Sequence, residues 1–357
     1  MMRRVDFQLG PLNGTMANVI AGSRAQPRGV IDSLAVGFGI ITRRPILALL
    51  PVLLDILILI APGVKSEALP ASAHALLSDA VAQNPLPPDS AKLVMKQVEE
   101  VRTFLASWNL LSLVSYQVPT LSGTLANVPA EVKALSLGTL GSTAAFGLGA
   151  AAVGLLLACL YLARLADAVA REPRDEQPNA PARAARTPRR SIPSILIETF
   201  TNWYHFCSLR VFQAAFLVAL GVVGGTVFNV AAGLGSLVLG MAFGITVLSF
   251  VFLFVSEEAL IVGKLSSLAA IRESIVVVRR NFGASALLWL LVTIITIGLR
   301  LIWVYLAGTP AGSLVAVLGN AYIATGLTTA VLVFYYDRRT RVPQNTLMGG
   351  NAPAQPL

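Results

Sequence analysis

Residues 257–283 read EEALIVGKLSSLAAIRESIVVVRRNFG and separate two long apolar runs of the chain. Two acids close the first run, and two arginines stand directly before the second. Between them, apolar residues recur at helical spacing, which indicates an amphipathic helix. Such a segment carries too many charges to cross a bilayer, but it can lie along its surface. The stretch therefore predicts two membrane-spanning helices joined by an interfacial helix at 264–280.

The whole chain has the composition of a membrane protein. Of its 357 residues, 55% are hydrophobic and 13% are charged, and the mean hydropathy is +0.72. Soluble domains carry about 25% charged residues. Apolar runs of about 20 residues recur, the length that a helix needs to cross the hydrocarbon core. Because these runs are continuous rather than alternating, we predict an all-α polytopic integral membrane protein with six transmembrane helices.

The predicted segments follow one another along the chain in a simple order. Disordered stretches are expected at two places, the N-terminus 1–28 and the basic linker 171–192, and residues 337–357 form a polar cytoplasmic tail. The membrane part consists of an interfacial helix with the first span at 29–61, the second span at 138–170, and the third to sixth spans within 193–336. Residues 62–137 form a polar insert, for which we expect a helical hairpin outside the membrane.

The distribution of basic residues predicts the orientation. Lys and Arg in short loops mark the cytoplasmic side of a multi-pass protein. The two terminal segments, the end of the second span with its linker, and residues 257–280 together hold 20 Lys and Arg, against five in the insert. We therefore expect a plasma-membrane protein with both termini cytoplasmic and the insert extracytoplasmic. The formal charge of +9 does not indicate nucleic acid, because the basic residues border spans instead of forming one patch.

The sequence also suggests an internal repeat. Residues 41–50 (ITRRPILALL) resemble residues 277–288 (VVRRNFGASALL), since each places two arginines between an amphipathic helix and a span. The stretch 194–210 is a weaker third copy that leads into the third span. Three parallel units, each an interfacial helix with two spans, would explain this pattern. The alternative is that any cytoplasmic entry to a span attracts basic residues.

Charged residues within the spans are candidate functional residues. Asp55 lies in the predicted first span and Arg300 in the fifth, where a charge costs about 2.5–3.5 kcal/mol on insertion scales. An Asp55–Arg300 ion pair is the structural interpretation, a proton- or ion-linked role is the functional one, and a water-facing Asp55 is the third alternative. Arg210 either pairs with Glu257 or Glu258 or extends to the membrane interface.

The predicted sixth span is the most polar one. Its amide and hydroxyl side chains belong to Asn320, Tyr322, Thr325, Thr328 and Thr329. Such groups bond neighbouring helices more often than they bind a ligand. They are therefore interpreted first as structural.

The sequence predicts no catalytic residue, cofactor or metal site. Phosphate loops, nucleophile elbows and zinc-protease motifs do not occur, and two cysteines and two histidines form no ligand pattern. The bilayer itself is the expected partner, with anionic lipid headgroups or another membrane protein in addition. The candidates for these cytoplasmic contacts are Glu257, Glu258, Arg279 and Arg280.

The second half of the chain resembles a known kind of membrane module. The residues concerned are VSEEALIVGKLSSLAAIRESIVVVRRNFG at 255–283, the span that follows, and VLVFYYDRRTR at 331–341. They resemble a group of uncharacterised bacterial multi-pass proteins that is similar to the membrane-anchoring domain of glycerophosphodiester phosphodiesterases. The resemblance covers about 194–341. It implies a short apolar strand-like segment, then an amphipathic helix with Ser274 near its end, and a membrane module without the catalytic domain.

Three functions remain open at this stage. A non-catalytic scaffold, anchor or accessory subunit is the first expectation, because catalytic motifs are absent and the polar groups of the spans are interpreted as structural. The alternative is a small transporter or channel that uses Asp55, Arg300 and the polar sixth span. A membrane enzyme acting on lipid comes third, with Glu257 and Glu258 as its only candidate residues.

Overall fold

The computed structural model describes residues 28–83, 88–115, 118–121, 134–172, 192–230 and 235–339. Within these ranges the protein is almost entirely α-helical, which confirms the predicted fold class. The helices are α1 (Val30–Arg43), α2 (Leu49–Ile60), α3 (Ala68–Gln83), α4 (Pro88–Ser107), α5 (Leu140–Ala170), α6 (Ile192–Val230), α7 (Gly235–Phe252), α8 (Ser256–Gly263), α9 (Ser267–Arg280), α10 (Phe282–Leu306) and α11 (Pro310–Arg339). The remaining elements are 3₁₀ helices at Pro45–Ala48 and Leu110–Ser115 and strands β1 (Val64–Ser66) and β2 (Leu135–Leu137). Nearly all of the two stretches predicted to be disordered, and most of the polar tail 337–357, lie outside the described residues.

Among the described residues, five helical segments are long and apolar enough to cross a membrane, as judged by length and composition. They are Leu140–Ala170, Thr199–Val223, Gly240–Gly263, Phe282–Leu306 and Pro310–Arg339. These segments match the predicted second to sixth spans, so a multi-pass membrane protein is confirmed. The predicted first span is a shorter apolar segment, Pro45–Ile60. Its 3₁₀ turn and α2 together measure roughly 26 Å, a little less than the hydrocarbon thickness, so a sixth crossing stays a prediction.

Helix α1 was predicted to lie at the membrane surface, but it packs antiparallel along the second half of α11. A Cβ atom on Gly37 would lie 2.6 Å from the backbone nitrogen of Ala330. Further along α1, the hydroxyl groups of Thr42 and Tyr322 are 2.7 Å apart. The prediction was wrong because an apolar helix face fits a neighbouring helix as well as it fits lipid.

Helix α9 lies across the ends of several helices, as expected for a helix in a loop between spans. The Ser267 hydroxyl donates to the carbonyl of His205 in α6 at 2.8 Å, and the Ser274 hydroxyl donates to the carbonyl of Phe252 in α7 at 2.7 Å. The helix begins later than predicted, because Lys264 adopts the left-handed conformation (φ 51°) and ends α8. Since α8 is helical, the strand-like segment implied by the resemblance is wrong.

Helices α1 and α9 have the same length and end in the same way, but they pack differently, so the internal repeat stays a prediction. Each is 14 residues long. In each, the next backbone N–H, of Arg44 or Asn281, bonds to the carbonyls three and four residues before it. This aligns Arg43 with Arg280, one residue away from the alignment drawn from the sequence. The predicted third copy at 194–210 is not a separate element, since it forms part of the continuous helix α6.

The 62–137 insert contains the two helices expected of a hairpin, α3 and α4, which pack against each other. It also contains a two-stranded parallel sheet, with Val64 opposite Leu135. The Ser66 hydroxyl joins this sheet to the first turn of α5, at 2.7 Å from the Thr143 hydroxyl. Strands of three residues are too short to produce an alternating pattern, so the sequence did not indicate them.

The last part of the insert enters the helical bundle, and we call its described residues, 110–115 and 118–121, the re-entrant segment. It lies so close to the middle of α5 that a Cβ atom on Gly154 would be 2.5 Å from the carbonyl oxygen of Val114. Val118 and Leu121 are 2% and 1% exposed. Irregular backbone at this depth is tolerated only where protein or a water-filled cavity surrounds it. The re-entrant segment is therefore part of the bundle and not only of the 62–137 insert.

Candidate functional site

The candidate site is built around α8, whose first turn carries Glu257 and Glu258. Helix α8 packs against α5, α6, α9 and α11. Consecutive residues of a helix point about 100° apart, so the two acids face different neighbours. The sequence suggested that both lie at the cytoplasmic interface. The structure places them inside the bundle, in the second half of the candidate span Gly240–Gly263.

Glu257 forms an ion pair with Arg210 of α6. The side chains of these two residues are 25% and 28% exposed. Arg210 Nη1 also donates to Gln213 Oε1 at 2.9 Å, and the guanidinium lies 5.5 Å from the ring centre of Phe206. Of the two alternatives for Arg210, pairing with one of the acids is therefore confirmed.

The ion pair lines a cavity of about 540 Å³ between α5, α6, α7 and α10, which we call the lateral cavity. Most of its wall is apolar, and its polar side chains are those of Arg210, Gln213, Thr246, Ser249 and Glu257. Phe216 and Phe250 in the wall are 37% and 51% exposed, so the cavity reaches the outer surface of the bundle. This volume and a mostly apolar wall with few polar groups are typical of small-molecule sites.

A second cavity of about 350 Å³, the central cavity, adjoins the lateral one. The two cavities share Arg210, Phe254 and Glu257. The central cavity adds Glu258 and the hydroxyl groups of Tyr161, Thr296 and Thr328, and Val118 and Pro119 of the re-entrant segment also line it. The Arg210–Glu257 pair therefore lies in the walls of both cavities.

Glu258 is buried without full compensation. The residue is 7% exposed, and its Oε2 atom receives no hydrogen bond from any described residue. A buried acceptor without a donor costs about 1–3 kcal/mol, and more when it is charged. A proton or a polar occupant of the central cavity would relieve this cost.

A second polar cluster lies beside Glu258 at the end of α11. The Tyr335 hydroxyl donates to Glu273 Oε1, and Arg339 Nε approaches the same oxygen at 3.1 Å. Arg339 Nη1 donates to the carbonyl of Val262 in α8 at 2.8 Å. Val262 lies one helical turn after Glu258, so this cluster lies at the C-terminal end of α8.

Asp55 does not pair with Arg300, so that prediction is wrong. Asp55 is 3% exposed, and its Oδ2 atom accepts a hydrogen bond from the backbone N–H of Leu121 at 2.9 Å. Arg300 is exposed on α10 and forms no ion pair with a described residue. The re-entrant backbone supplies N–H groups that no helix satisfies, and Asp55 binds one of them.

The polar residues of α11 have separate environments. Thr325 is fully buried, and its hydroxyl accepts a hydrogen bond from Tyr161 at 2.8 Å. Tyr322 contacts Thr42 of α1, and Asn320 is half-buried. The described wall of the central cavity includes Thr328 but none of the three predicted residues Asn320, Tyr322 and Thr325. Thr325 is connected to the cavity wall by its hydrogen bond with Tyr161.

The two arginines at the end of α9, Arg279 and Arg280, are exposed. Their position in the last turn is favourable, because positive charge there complements the helix dipole. Among the described residues, no group of three or more His, Cys, Asp and Glu side chains is arranged to hold a metal ion.

Sequence reasoning missed the Tyr335–Glu273 contact and the two cavities. Glu273 and Tyr335 lie in segments that the sequence analysis discussed, but neither residue was singled out as a candidate. One signal was available, because two adjacent acids that close an apolar run cannot both face water when the helix continues into the bundle.

Comparison with protein-family models, with curated proteins and with solved structures finds no match to the chain. The resemblance to the membrane-anchoring domain of glycerophosphodiester phosphodiesterases therefore stays a prediction. The fold class comes from the structure itself, which is that of an all-α, multi-pass membrane protein.

Proposed function

We propose that this protein is a non-catalytic transporter that binds a small amphipathic molecule at the Arg210–Glu257 pair. One observation favours the transporter over the scaffold: the ion pair lies in the walls of two adjoining cavities. A scaffold would gain nothing from a charged pair that faces open space in the bundle, whereas a transporter needs polar groups accessible to its substrate.

The walls of the lateral cavity suggest the class of molecule. Its apolar part suits a hydrocarbon body, and its charged part suits a polar head. Arg210 offers donors to a phosphate or carboxylate group, while Glu257 accepts from an ammonium group. Since the cavity reaches the bundle surface at Phe216 and Phe250, a molecule can enter from the bilayer. A lipid with a zwitterionic headgroup meets all these requirements.

The position of the re-entrant segment suggests how the path of the bound molecule through the bundle is closed. Val118 and Pro119 line the central cavity, and the bond from Leu121 to Asp55 holds the segment in the bundle. Transporters commonly bind substrates where irregular backbone interrupts the bundle. We infer that the headgroup passes the ion pair into the central cavity and that the re-entrant segment must move before it leaves.

The orientation follows from the basic residues. We propose a plasma-membrane protein with both termini cytoplasmic and the 62–137 insert extracytoplasmic. Arg279 and Arg280 would then contact anionic headgroups of the cytoplasmic leaflet, at about 1 kcal/mol for each residue. The site at Arg210 and Glu257 lies on the same side of the bundle as these arginines.

Two measurements on the full chain test the proposal. Native mass spectrometry of protein purified in mild detergent should show a bound lipid on the natural protein and on Arg300→Gln, a control outside both cavities. Glu257→Gln should lose most of it. In vesicles, the protein should move a fluorescent phosphatidylethanolamine analogue between leaflets, and Glu257→Gln should slow this movement at least five-fold.

A different set of results would contradict the transporter and favour a scaffold. A natural protein that carries no lipid, moves no lipid analogue and copurifies with a second membrane protein would establish the scaffold instead. Thermal unfolding of each variant shows whether a lost lipid reflects a lost fold, and Ser249→Ala provides a milder change in the same cavity wall.

A further inference from the structure

We propose that the lateral cavity selects a monoacyl phospholipid with a zwitterionic headgroup, and that Ser249 recognises the free hydroxyl group of this lipid. The inference rests on the lipid transport proposed above and narrows its substrate class. It follows from the hydrogen bonds that the polar side chains of the cavity wall already make, and from the order of these side chains along the wall.

The hydroxyl groups of Thr246 and Ser249 in this wall are placed to accept hydrogen bonds. The Thr246 hydroxyl donates to the carbonyl of Ala242 at 2.8 Å, and the Ser249 hydroxyl donates to the carbonyl of Ile245 at 2.7 Å. Because a hydroxyl group has one hydrogen, each oxygen keeps only its lone pairs for another partner. The α7 side of the lateral cavity therefore offers acceptors to a bound molecule.

The α6 side of the cavity offers donors. Gln213 Oε1 accepts a hydrogen bond from Arg210 Nη1 at 2.9 Å. Since the oxygen of this amide is occupied, its N–H groups are what Gln213 can offer to a bound molecule. The guanidinium group and the amide together suit the phosphate group of a lipid.

Ser249 lies well away from the ion pair along the same wall. The N–H of Leu253 bonds to the carbonyl of Ser249 at 2.9 Å, and the N–H of Ser256 bonds to the carbonyl of Leu253 at 3.1 Å. The chain is therefore wound in helical turns from Ser249 to Glu257. Eight residues at about 1.5 Å each separate these two positions by roughly 12 Å along the helix.

Gln213 lies between these two levels. Only residues 231–234 separate α6 from α7, so the two helices run antiparallel. Arg210 is level with Glu257, since the two are ion-paired, and Gln213 lies about 4.5 Å further toward Ser249. The wall therefore presents, in order, a carboxylate, donors for a phosphate group and a hydroxyl acceptor.

A monoacyl phospholipid with an ethanolamine headgroup carries matching groups in the same order. Its ammonium nitrogen, phosphate and free glycerol hydroxyl follow one another along a chain that reaches roughly 9 Å when extended, at about 3.3–3.6 Å for three bonds. This length fits between Glu257 and Ser249 with a hydrogen bond at each end. A diacyl lipid has an ester oxygen in place of the hydroxyl group. Because an ester oxygen is an acceptor, it gives Ser249 no donor.

Native mass spectrometry of the full chain tests the preference, since the mass of each complex identifies its lipid. The protein is mixed with equal amounts of lysophosphatidylethanolamine and diacyl phosphatidylethanolamine. We expect about five times more of the lysolipid to be bound, the factor that one hydrogen bond typically contributes. Equal binding of the two overturns the selection and leaves lipid transport in place. Binding of neither lipid overturns both proposals.

A lysolipid whose hydroxyl group is methylated separates the effect of the hydroxyl group from that of the number of acyl chains. It has one chain but no donor, so we expect it to bind no better than the diacyl lipid. If it binds as well as the unmodified lysolipid, the cavity selects a single chain without recognising the hydroxyl group, and the proposal is overturned.

Substitutions test the role of Ser249. Ser249→Ala removes the acceptor and should reduce the preference to less than two-fold, whereas Ser249→Thr keeps a hydroxyl group and should retain the preference. Ser78→Ala is the matched control, because the Ser78 hydroxyl donates to the carbonyl of His74 at 2.7 Å in the same way but lies in α3. The preference is a ratio of two lipids on the same protein, so a loss of folded protein does not change it. A five-fold preference that survives in Ser249→Ala overturns the assignment of Ser249.

Discussion

Gly37 of α1 lies against the backbone of Ala330 of α11, so closely that a methyl group at residue 37 would come within 2.6 Å of the Ala330 nitrogen. The contact is reciprocal, because a Cβ atom on Gly326 of α11 would lie 2.5 Å from the ring of Phe38. Small residues on each helix thus make room for the other, as they do at helix contacts in membrane proteins. The first described helix, α1, therefore packs lengthwise on a candidate span.

We expect Gly37→Ala to destabilise the protein by about 1–3 kcal/mol, because the added methyl group overpacks a contact with backbone atoms that cannot rotate away. Thermal unfolding in detergent measures the loss. Gly39→Ala on the same helix is the control, since its Cβ atom would meet only the end of the Arg43 side chain at 3.7 Å. That variant should be unchanged or slightly more stable, because Ala favours helix over Gly. Equal melting temperatures for both variants would contradict the packing of α1 on α11.

A second glycine pair tests the re-entrant segment. In Gly154→Ala the methyl group would stand 2.5 Å from the Val114 carbonyl oxygen, whereas a methyl group on Gly149 would meet no described neighbour within 4 Å. We expect Gly154→Ala to displace the segment from α5 and to raise hydrogen exchange in the peptide covering residues 110–121. Gly149→Ala should leave the exchange unchanged. If both variants exchange alike, the segment does not pack on α5 as described.

The hydrogen bond between Asp55 and the Leu121 backbone predicts a clear difference between two charged residues. A hydrogen bond to a charged group contributes about 1.5–3 kcal/mol, so Asp55→Ala should lower the free energy of unfolding by at least that amount. Arg300→Gln should change it by less than about 0.5 kcal/mol, as surface substitutions usually do. Denaturant unfolding of both variants measures these two changes in the free energy of unfolding. Similar losses of stability for the two variants would support the Asp55–Arg300 ion pair that the sequence suggested.

Arg210 and Glu257 should show strong energetic coupling. Removing either charge leaves the other partly buried without its partner, so Arg210→Gln and Glu257→Gln should each destabilise the protein. The double variant should cost less than the sum of the two, with a coupling energy of about 0.5–3 kcal/mol. A double-mutant cycle by thermal unfolding gives this value. Additive effects would mean that the two side chains do not interact in the membrane.

The spans were predictable because twenty apolar residues in a row leave few alternatives in a chain of this composition. The Arg210–Glu257 pair was also within reach, since consecutive helices of a hairpin lie side by side and bring their ends together. The spans follow from local hydropathy, and the ion pair follows from the fact that helices next to each other in the sequence are neighbours in space.

The partner of Asp55 was not predictable from residue types. A backbone N–H at Leu121 is chemically the same as any other, and only the path of the chain brings it to Asp55. The position of α1 failed for a related reason, because hydropathy measures how apolar a face is and not what covers it. Contacts that involve backbone groups, or residues far apart in the sequence, therefore could not be predicted from the types of the side chains.

Strands β1 and β2 fasten both ends of the outer insert to one place, since neighbouring strands lie about 4.8 Å apart. The two ends of the insert therefore meet at one junction, and the insert includes both the α3–α4 hairpin and the segment that reaches Asp55. A force applied to the hairpin therefore reaches α2 and α5 through this junction or through the re-entrant segment. We expect an antibody fragment bound to the hairpin to act on the interior of the bundle through these two connections.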